Sequence, residues 1–392
     1  MKVAINGVGI AGPALAYWLK RLGHEPVLFE KAAALRTGGY LIDFWGLGYT
    51  IAERMGILAR LRASGYEMQH MRMVDGHGEE KADVDLTPAR EALDGRFISI
   101  SRSELSRVLF EACEGVPTHF GLSIVGIEGD EAGSVVTLSD GTREVFDVVV
   151  GADGLHSAVR TLAFGPESQF ERFLGCFIAA FRTRGYPHRD ELTHVSHTLQ
   201  GRQIGRVSLR NDETLVLFVW RAEPSDVLPD RNAQQHAIKS AFGQTGWEAP
   251  ELLAALDHAE DFYFDRVSQI RMPRWSTGST VLVGDAAACP SLLAGEGSGL
   301  AMLEAYLLAG ELHRAQRAVA SAFARYEERL RTFVVAKQDS AIWFRGFFAP
   351  KTALGLRVRD LAVHAMAVPI IAKPFLARTF RETLELPEYA AA

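Results

Sequence analysis

The chain has 392 residues, of which 48% are hydrophobic and 23% charged, and its formal net charge is −6. This length suits two globular domains, and the acidic balance excludes the basic surface of a protein that binds nucleic acid or an anionic membrane. The three cysteines lie too far apart for a disulfide framework or a metal site, which favours a reducing compartment, the cytoplasm.

The N-terminal part predicts a βαβ unit, with a strand at 2–6, a helix at 11–22 and a strand at 26–30 that ends in Glu30. Because a strand begins at the second residue, we expect no signal peptide. A helix is predicted at 48–61, a strand at 97–100 and a helix at 103–114. The alternation from 116 to 150 predicts a β-meander that ends in a buried strand at 145–150.

From about residue 171 the pattern changes to strands, predicted at 176–183, 193–199, 204–209 and 214–221. A strand at 280–284 then returns the chain to the first domain, and helices follow at 298–316 and 319–345. We therefore predict a discontinuous first domain (1–170 and 270–330, with an excursion near 66–100), an inserted sheet domain (171–269) and a C-terminal helical segment (331–392). No apolar stretch reaches the ~20 residues of a spanning helix, so membrane insertion is not expected.

The first strand and helix are joined by the motif Gly7-x-Gly9-x-x-Gly12. Gly7 permits a tight turn, Gly9 lets the backbone approach a pyrophosphate, and Gly12 lets the helix pack on the strand. The helix N-terminus offers N–H groups and positive dipole charge to phosphates, and Glu30 is placed to accept hydrogen bonds from a ribose. The motif predicts a dinucleotide but does not separate FAD from NAD.

Two further segments occur in a fixed order, Gly-Ala-Asp-Gly at 151–154, leading to Arg160, and Gly-Asp-Ala-Ala at 284–287. With the N-terminal glycines they resemble the group A flavoprotein monooxygenases, the family of para-hydroxybenzoate hydroxylase and the aromatic polyketide hydroxylases. The resemblance implies an α/β fold, in which a Rossmann-like FAD-binding domain carries an inserted β-sheet-rich substrate domain and C-terminal helices. It also implies FAD as cofactor, NADPH or NADH as reductant and molecular oxygen as co-substrate.

The resemblance assigns cofactor contacts along the whole first domain. They are Gly7, Gly9, Ala11, Gly12, Glu30, Arg36, Gly39, Asp43, Arg102, Leu122, Asp153, Arg160, Asp285, Pro290, Gly295, Gly297 and Ser298. An arginine at a helix start, as at Arg102, is electrostatically ill-placed unless it faces an anion or a polar ligand, whereas Arg36 is equally compatible with a surface position. The family usually carries His where Cys289 stands and Asn where Gly299 stands.

The cofactor carries the reaction in this family, through a flavin C4a-hydroperoxide that hydroxylates an electron-rich carbon, so we expect no catalytic side chain and no metal. We expect a small aromatic or polycyclic substrate, bound by the inserted sheet of a monomeric protein. Strand parity leaves open which of its residues point inward. The candidates are Leu199, Gln203, Arg210, Phe218 and Arg221.

The segment from Ile342 to Phe380 is rich in aromatic and apolar residues, among them Phe347, Leu361, Ile370 and Phe375. One interpretation is a helix that packs on the two domains. The other follows from a similarity to the tetracycline-inactivating branch of the family, in which a final helix bridges the domains and gates the pocket.

Two alternatives to a monooxygenase remain open at this point. One is a flavin-dependent halogenase or reductase, although the Trp-x-Trp-x-Ile-Pro signature of tryptophan halogenases is absent from the sequence. The other is a flavoprotein that binds a ligand without catalysis, which the departures at Cys289 and Gly299 keep possible. Within the monooxygenase interpretation, polyketide biosynthesis and antibiotic inactivation are both compatible with the motifs.

Overall fold

The structure is a computed structural model that describes residues 1–130, 133–366, 368 and 384–389. The strands are β1 (Lys2–Asn6), β2 (Glu25–Glu30), β3 (Leu41–Trp45), β4 (His70–Val74), β5 (Glu80–Asp85), β6 (Phe97–Ser101), β7 (Thr118–Phe120), β8 (Ile124–Asp130), β9 (Gly133–Leu138), β10 (Arg143–Phe146), β11 (Val148–Gly151), β12 (Glu171–Arg184), β13 (Thr193–Leu199), β14 (Arg202–Ser208), β15 (Glu213–Arg221), β16 (Phe262–Ile270), β17 (Ser276–Thr277) and β18 (Thr280–Leu282). The helices are α1 (Ala11–Arg21), α2 (Gly46–Arg54), α3 (Leu58–Ser64), α4 (Thr87–Ala92), α5 (Arg102–Ala112), α6 (Ala158–Phe164), α7 (Arg231–Phe242), α8 (Ala249–Leu256), α9 (Asp285–Ala288), α10 (Gly297–Ala315), α11 (Val319–Phe348) and α12 (Ala353–Met366).

The first sheet, called here the parallel sheet, has the strand order β17-β18-β11-β1-β2-β7 and is parallel except for the β17–β18 pair. Its central strands are apolar on both faces because both faces are covered. Helix α1 packs on β1 and β2, and α10 packs on α1. The three-stranded sheet β8–β10 contacts β1 and β11 from the other side. The strand order reverses about β1, the place where open α/β sheets bind ligands.

The second sheet, called here the large sheet, has the order β16-β12-β15-β14-β13-β4-β5, so β4 and β5 of the first hundred residues join strands from 171–270. One face is covered by α7 and α8, where Phe218 and Trp220 of β15 pack with Phe242 of α7. The opposite face is turned toward the parallel sheet: Val207 and Leu215 pack there near Tyr40. The ribbon β3–β6 lies between the two sheets and pairs with Tyr66 at Ser99.

The C-terminal part of the chain contacts both regions. Val363 of α12 packs with Met73 and Val84 of the large sheet. Tyr389 packs on α10 so closely that a Cβ at Gly310 would lie 2.2 Å from its ring. The Tyr389 hydroxyl donates a hydrogen bond of 2.8 Å to Glu311.

Candidate active site

The three glycine-containing motifs meet at one edge of the parallel sheet. Asn6 at the end of β1 pairs with Gly151 of β11, which pairs with Leu282 of β18, so the following turns are neighbours. Close packing requires two of the glycines. A Cβ on Gly7, whose φ is +115°, would lie 2.4 Å from the Ala152 carbonyl oxygen, and a Cβ on Gly12 would lie 1.9 Å from the Gly7 carbonyl oxygen.

Gly9 has a different environment, because its missing side chain opens onto a cleft. The nearest protein atom to a Cβ placed there is the Arg102 Nη2, at 3.9 Å. No side chain caps the N-terminus of α1, whose N-cap is Ile10, and the N–H groups of Ala11 and Gly12 have no intrahelical acceptor. An open backbone, free N–H groups and a nearby guanidinium together fit a pyrophosphate.

Glu30 and Leu122 lie at the end of β2, beside this loop. The Glu30 carboxylate accepts hydrogen bonds from the Val8 N–H at 3.0 Å and the Ala32 N–H at 2.9 Å. The Leu122 N–H donates to the Glu30 carbonyl oxygen at 3.1 Å. The carboxylate therefore stabilises the glycine loop, and its contact with a ribose stays a prediction.

Asp153 and Arg160 support the loops from within the protein. The Asp153 carboxylate accepts hydrogen bonds from the Asn6 side chain at 2.9 Å and from the Ala158 and Val159 N–H groups at the start of α6. Arg160 is 0% exposed, and its guanidinium donates to the Ala286 carbonyl oxygen at 3.1 Å. This side chain therefore joins α6 to the turn at α9, and the contact between Arg160 and the cofactor stays a prediction.

Arg102 and Asp285 face each other across the cleft. Arg102 begins α5, which Ser101 caps by accepting the Glu104 N–H at 3.1 Å. Among the described residues, the Arg102 guanidinium makes neither a hydrogen bond nor an ion pair within hydrogen-bonding distance. Burial raises the pKa of Asp285, although the positive charge of Arg102 opposes this rise. The cleft thus presents a cation without a direct partner among the described residues and an acid, Asp285, that is hydrogen-bonded to the Cys289 thiol.

The segment 36–43 lines the cleft from the side of the ribbon. Asp43 accepts a hydrogen bond of 2.5 Å from the Ser99 hydroxyl. Gly39 has φ +98° and open space where a Cβ would be, whereas a Cβ on Gly38 would lie 2.5 Å from the Asp261 carboxylate. Arg36 is exposed and makes no polar contact among the described residues, so its contact with the cofactor remains a prediction.

The loop before α10 faces Asp285. Pro290 is buried, and its carbonyl oxygen accepts a hydrogen bond of 2.9 Å from the Gln269 side chain. Gly295 adopts φ +70°, with open space at its Cβ position. Gly297 and Ser298 form the first turn of α10, which has no side-chain cap, and a Cβ on Gly297 would lie 3.5 Å from the Asp285 carboxylate. This geometry keeps a helix N-terminus next to the cleft.

Two tyrosines that the sequence did not single out complete the surroundings of Arg102. The rings of Tyr40 and Tyr263 lie 5.3 Å apart, and burial raises the pKa of Tyr40 to about 12. The Tyr263 hydroxyl donates to Asp265 at 3.3 Å. No motif surrounds either residue, but Tyr263 conforms to the rule that buried aromatic hydroxyls find partners.

Asp265 also contacts His156, which follows the 151–154 motif. The His156 Nε2 lies 3.2 Å from Asp265 and its Nδ1 lies 2.9 Å from Glu167, and these two acids raise the pKa of the imidazole to about 10. Cys289 lies on the same side of the cleft and is buried, which raises the pKa of its thiol well above the ordinary value. The thiol therefore stays protonated, as expected for a packing residue.

The structure divides the predicted substrate residues between the two faces of the large sheet. Gln203 pairs with Val219, and Val219 packs with Leu293 of the loop before α10, so Gln203 and Arg221 lie on the face turned toward the cleft. The Gln203 amide donates to the Thr198 hydroxyl at 2.7 Å, and the Arg221 Nε donates to the Ala349 carbonyl oxygen at 2.9 Å.

The structure places the other three candidates for substrate contact away from that face of the sheet. Phe218 is fully buried on the face that α7 covers, with its ring 4.8 Å from that of Phe242. Leu199 shares the parity of His197, whose ring bonds to the Thr245 carbonyl oxygen on that same covered face. Arg210 instead holds the end of α3, because its guanidinium donates to the carbonyl oxygens of residues 64 and 65 at 3.0 and 2.6 Å.

Part of the predicted C-terminal cap is described. Phe347 packs with the cluster under α12, whereas Leu361 is 71% exposed and faces away from the protein. The predictions for Ile370 and Phe375 lie outside the described residues. Of the described helices, none is both long and apolar enough to cross a membrane.

Comparison with known proteins agrees with this geometry. A family model described as an FAD binding domain matches residues 1–339. A flavin-dependent monooxygenase from an unknown prokaryotic organism is 34% identical over 99% of both chains. Another, from Legionella longbeachae serogroup 1 (strain NSW150), is 33% identical over 100% of this chain and 99% of its own. Among solved structures, the tetracycline destructase Tet(55) superposes with a TM-score of 0.85 at 31% identity, covering 99% of this chain and 98% of its own.

The fold and the glycine motifs define an FAD-binding oxidoreductase with a discontinuous α/β core. The chain belongs to the FAD binding domain family of flavin-dependent monooxygenases. The family and the fold class expected from the sequence are thereby confirmed.

Proposed function

We propose that the protein is an NAD(P)H-consuming monooxygenase that hydroxylates an aromatic or polycyclic small molecule, with molecular oxygen as co-substrate. The observation that carries the proposal is the position of Arg102. Its guanidinium, without a polar partner among the described residues, lies beside the open backbone of Gly9 and across from Asp285. A half-buried cation and a half-buried acid in one cleft favour a ligand that carries both phosphates and hydroxyl groups.

FAD meets these requirements at both ends of the cleft. Its pyrophosphate suits the first turn of α1 beside Gly9, where Arg102 adds a positive charge. Asp285 is suited to accept hydrogen bonds from the ribityl hydroxyls, and Glu30 from the ribose. The uncapped N-terminus of α10, at Gly297, is suited to stabilise the negative charge of a reduced ring system through its N–H groups and dipole.

When bound, FAD supplies hydride acceptance from a nicotinamide and the activation of oxygen. The protein then has to orient the substrate and exclude water. Tyr40 and Tyr263 are suited to this role, because their rings form an apolar wall next to Arg102. The face of the large sheet that is turned toward the cleft, with Gln203 and Arg221, is suited to lie beside a flat substrate.

The relatives support a polycyclic substrate class. Tet(55) is named a tetracycline destructase, and this chain resembles it along almost its whole length. As part of the proposal, we extend that substrate class to the present protein. Antibiotic inactivation and biosynthetic hydroxylation are two uses of the same chemistry, and the proposal includes both.

The test is anaerobic reduction of the FAD-loaded protein, followed by loss of the flavin band at about 450 nm. NADPH and NADH are each added with and without tetracycline and a panel of polycyclic phenols. We expect at least one compound to accelerate reduction strongly. A protein that holds FAD but is reduced at the same rate with every compound, or by neither nucleotide, contradicts the proposal and favours a flavoprotein that only binds its ligand.

A further inference from the structure

Arg359 on α12 is a buried cation with unused hydrogen-bond donors. Its side chain is 6% exposed, and its Nη1 donates to the Asp360 carboxylate at 2.9 Å. Its Nε and Nη2 have no hydrogen-bond partner among the described residues. These two N–H groups form the side of a guanidinium that binds a carboxylate in a bidentate manner. Leaving them unpaired in a buried position is unfavourable.

The charges around Arg359 do not balance. Asp360 also accepts a hydrogen bond of 2.6 Å from the Lys81 ammonium. Within the described part of the chain, no other carboxylate lies within ion-pair distance of either cation. Two cations therefore share one carboxylate, and one positive charge remains at the buried guanidinium.

Arg359 lies over the face of the large sheet that is turned toward the cleft. Val363, one helical turn further on, packs with Met73 of β4, and the Arg359 guanidinium carbon lies 4.9 Å from the centre of the Phe347 ring. On the neighbouring strand β13, burial lowers the pKa of His194 to about 4, and the charge of Arg359 adds to this effect. The imidazole is therefore neutral and lies within electrostatic reach of the guanidinium.

The position of the His194 ring follows from a glycine on the next strand. A Cβ on Gly205 would lie 2.8 Å from the His194 Nε2, so the ring covers this glycine. His194 thus places a polar atom on the face that is turned toward the cleft. His197, three residues later, has the opposite parity and lies on the covered face.

The same face continues to the candidate active site. A row of directly paired residues crosses the sheet in the order Ser196, Gly205, Leu217, Ala180 and Tyr263. The row is buried at its three small residues, Ser196, Gly205 and Ala180. From Gly205 to Tyr263 it spans three strand spacings, about 14 Å. It therefore links His194 to the tyrosine pair beside Arg102.

We propose that Arg359 and His194 form an anion-binding subsite at the outer end of the substrate cleft, which recognises a carboxylate or an ionised enol or phenol oxygen of a polycyclic substrate. The Nε–H and Nη2–H groups of Arg359 donate to the anionic oxygens, and the neutral imidazole of His194 lies beside them as a further hydrogen-bonding group. This inference rests on the proposed function, because it assigns the substrate of that same cleft a charged end.

The experiment compares an acid with its uncharged amide. FAD-loaded protein is titrated in a calorimeter with anthraquinone-2-carboxylate and with anthraquinone-2-carboxamide. A charge-assisted hydrogen bond predicts that the wild type binds the acid about tenfold more tightly, or better. In Arg359→Gln the preference disappears, while the affinity for the amide stays within about twofold. The matched control is Arg357→Gln, on the exposed side of the same helix, which keeps the wild-type preference.

Asp360→Asn gives an independent result, because it removes the carboxylate that competes with the ligand for Arg359 and leaves Arg359 in place. We expect the preference of this variant for the acid to exceed that of the wild type. If Arg359→Gln does not retain FAD, Asp360→Asn is the variant that tests the subsite. A preference for the acid that is the same in Asp360→Asn as in the wild type then overturns it. A wild type that binds the acid no better than the amide, or binds neither, also overturns it. So does an Arg359→Gln variant that keeps the preference for the acid and loses affinity for NADPH. A different measurement tests the proposed function itself: if no ligand accelerates flavin reduction in the wild type, the proposed function is wrong, whatever the titrations show.

Discussion

Gly48 and Gly299 meet where α2 crosses α10, and the same substitution is expected to have opposite effects at the two positions. A Cβ on Gly48 would lie 2.4 Å from the Gly299 Cα, a backbone atom that cannot rotate away. A Cβ on Gly299 points elsewhere and would lie 3.6 Å from the Gly48 Cα, an ordinary contact. Gly48→Ala must therefore separate the helices, whereas Gly299→Ala does not.

The magnitudes follow from two opposing effects. Overpacking lowers the free energy of unfolding by about 1–3 kcal/mol, whereas replacing glycine by alanine within a helix raises it by up to about 1 kcal/mol. Because the contact at Gly48 is between backbones, we expect Gly48→Ala to lower the free energy of unfolding by about 1–2 kcal/mol. Gly299→Ala is expected to leave it unchanged or raise it by up to about 1 kcal/mol.

Urea unfolding of the two variants and the wild type measures this difference, and FAD affinity is measured on the same samples. Since Gly299 lies in the first turn of α10, next to Gly297 and Asp285, separation of the helices in Gly48→Ala should also weaken FAD binding. Equal stability of the two variants, or a Gly299→Ala variant less stable than Gly48→Ala, would refute the described contact.

Three further predictions concern side chains of known environment. Arg102→Gln is expected to weaken FAD binding by about 10–100-fold, measured by flavin fluorescence; an unchanged dissociation constant would remove Arg102 from the site. Phe218→Ala should lower the free energy of unfolding by about 3–5 kcal/mol in urea, without changing the affinity for a polycyclic ligand. Burial raises the pKa of Glu304 from 4.5 to about 8, so the stability it contributes is complete below pH 4.5 and is lost as the pH rises through 8. Glu304→Gln keeps an acceptor for the Gly284 N–H and should flatten this part of the stability curve; a slope equal to the wild type would show that Glu304 is not the titrating group.

Much of the fold follows from local pattern and chain order. The strand predicted at 193–199 is β13 as observed, and the three glycine-containing turns meet because the carboxyl ends of neighbouring parallel strands share one edge. Two local predictions were wrong in detail. The helix expected at 48–61 is two helices separated at Gly56, whose φ is +73°. The strand expected at 145–150 is divided, because the chain leaves β10 of the three-stranded sheet and enters β11 of the parallel sheet at Asp147.

The parts of the site that escaped prediction depend on contacts between distant segments. Alternation along β15 shows that Phe218 and Arg221 point to opposite faces, but only the position of α7 decides which face is covered. Arg160 belongs to a motif, yet its burial depends on the turn at α9 packing over it. Tyr263 reaches the cleft because β16 is the edge strand nearest to Tyr40, and no local signal in the sequence carries that information.

The most direct test of monooxygenation is the origin of the inserted oxygen. The compound that most accelerates NAD(P)H oxidation is incubated with the FAD-loaded enzyme under ¹⁸O₂, and the product is analysed by mass spectrometry while the consumed nicotinamide is counted. We predict a product that carries one labelled oxygen atom for each nicotinamide oxidised. Unchanged compound, with hydrogen peroxide formed in proportion to the nicotinamide consumed, or an unlabelled product, would contradict the account.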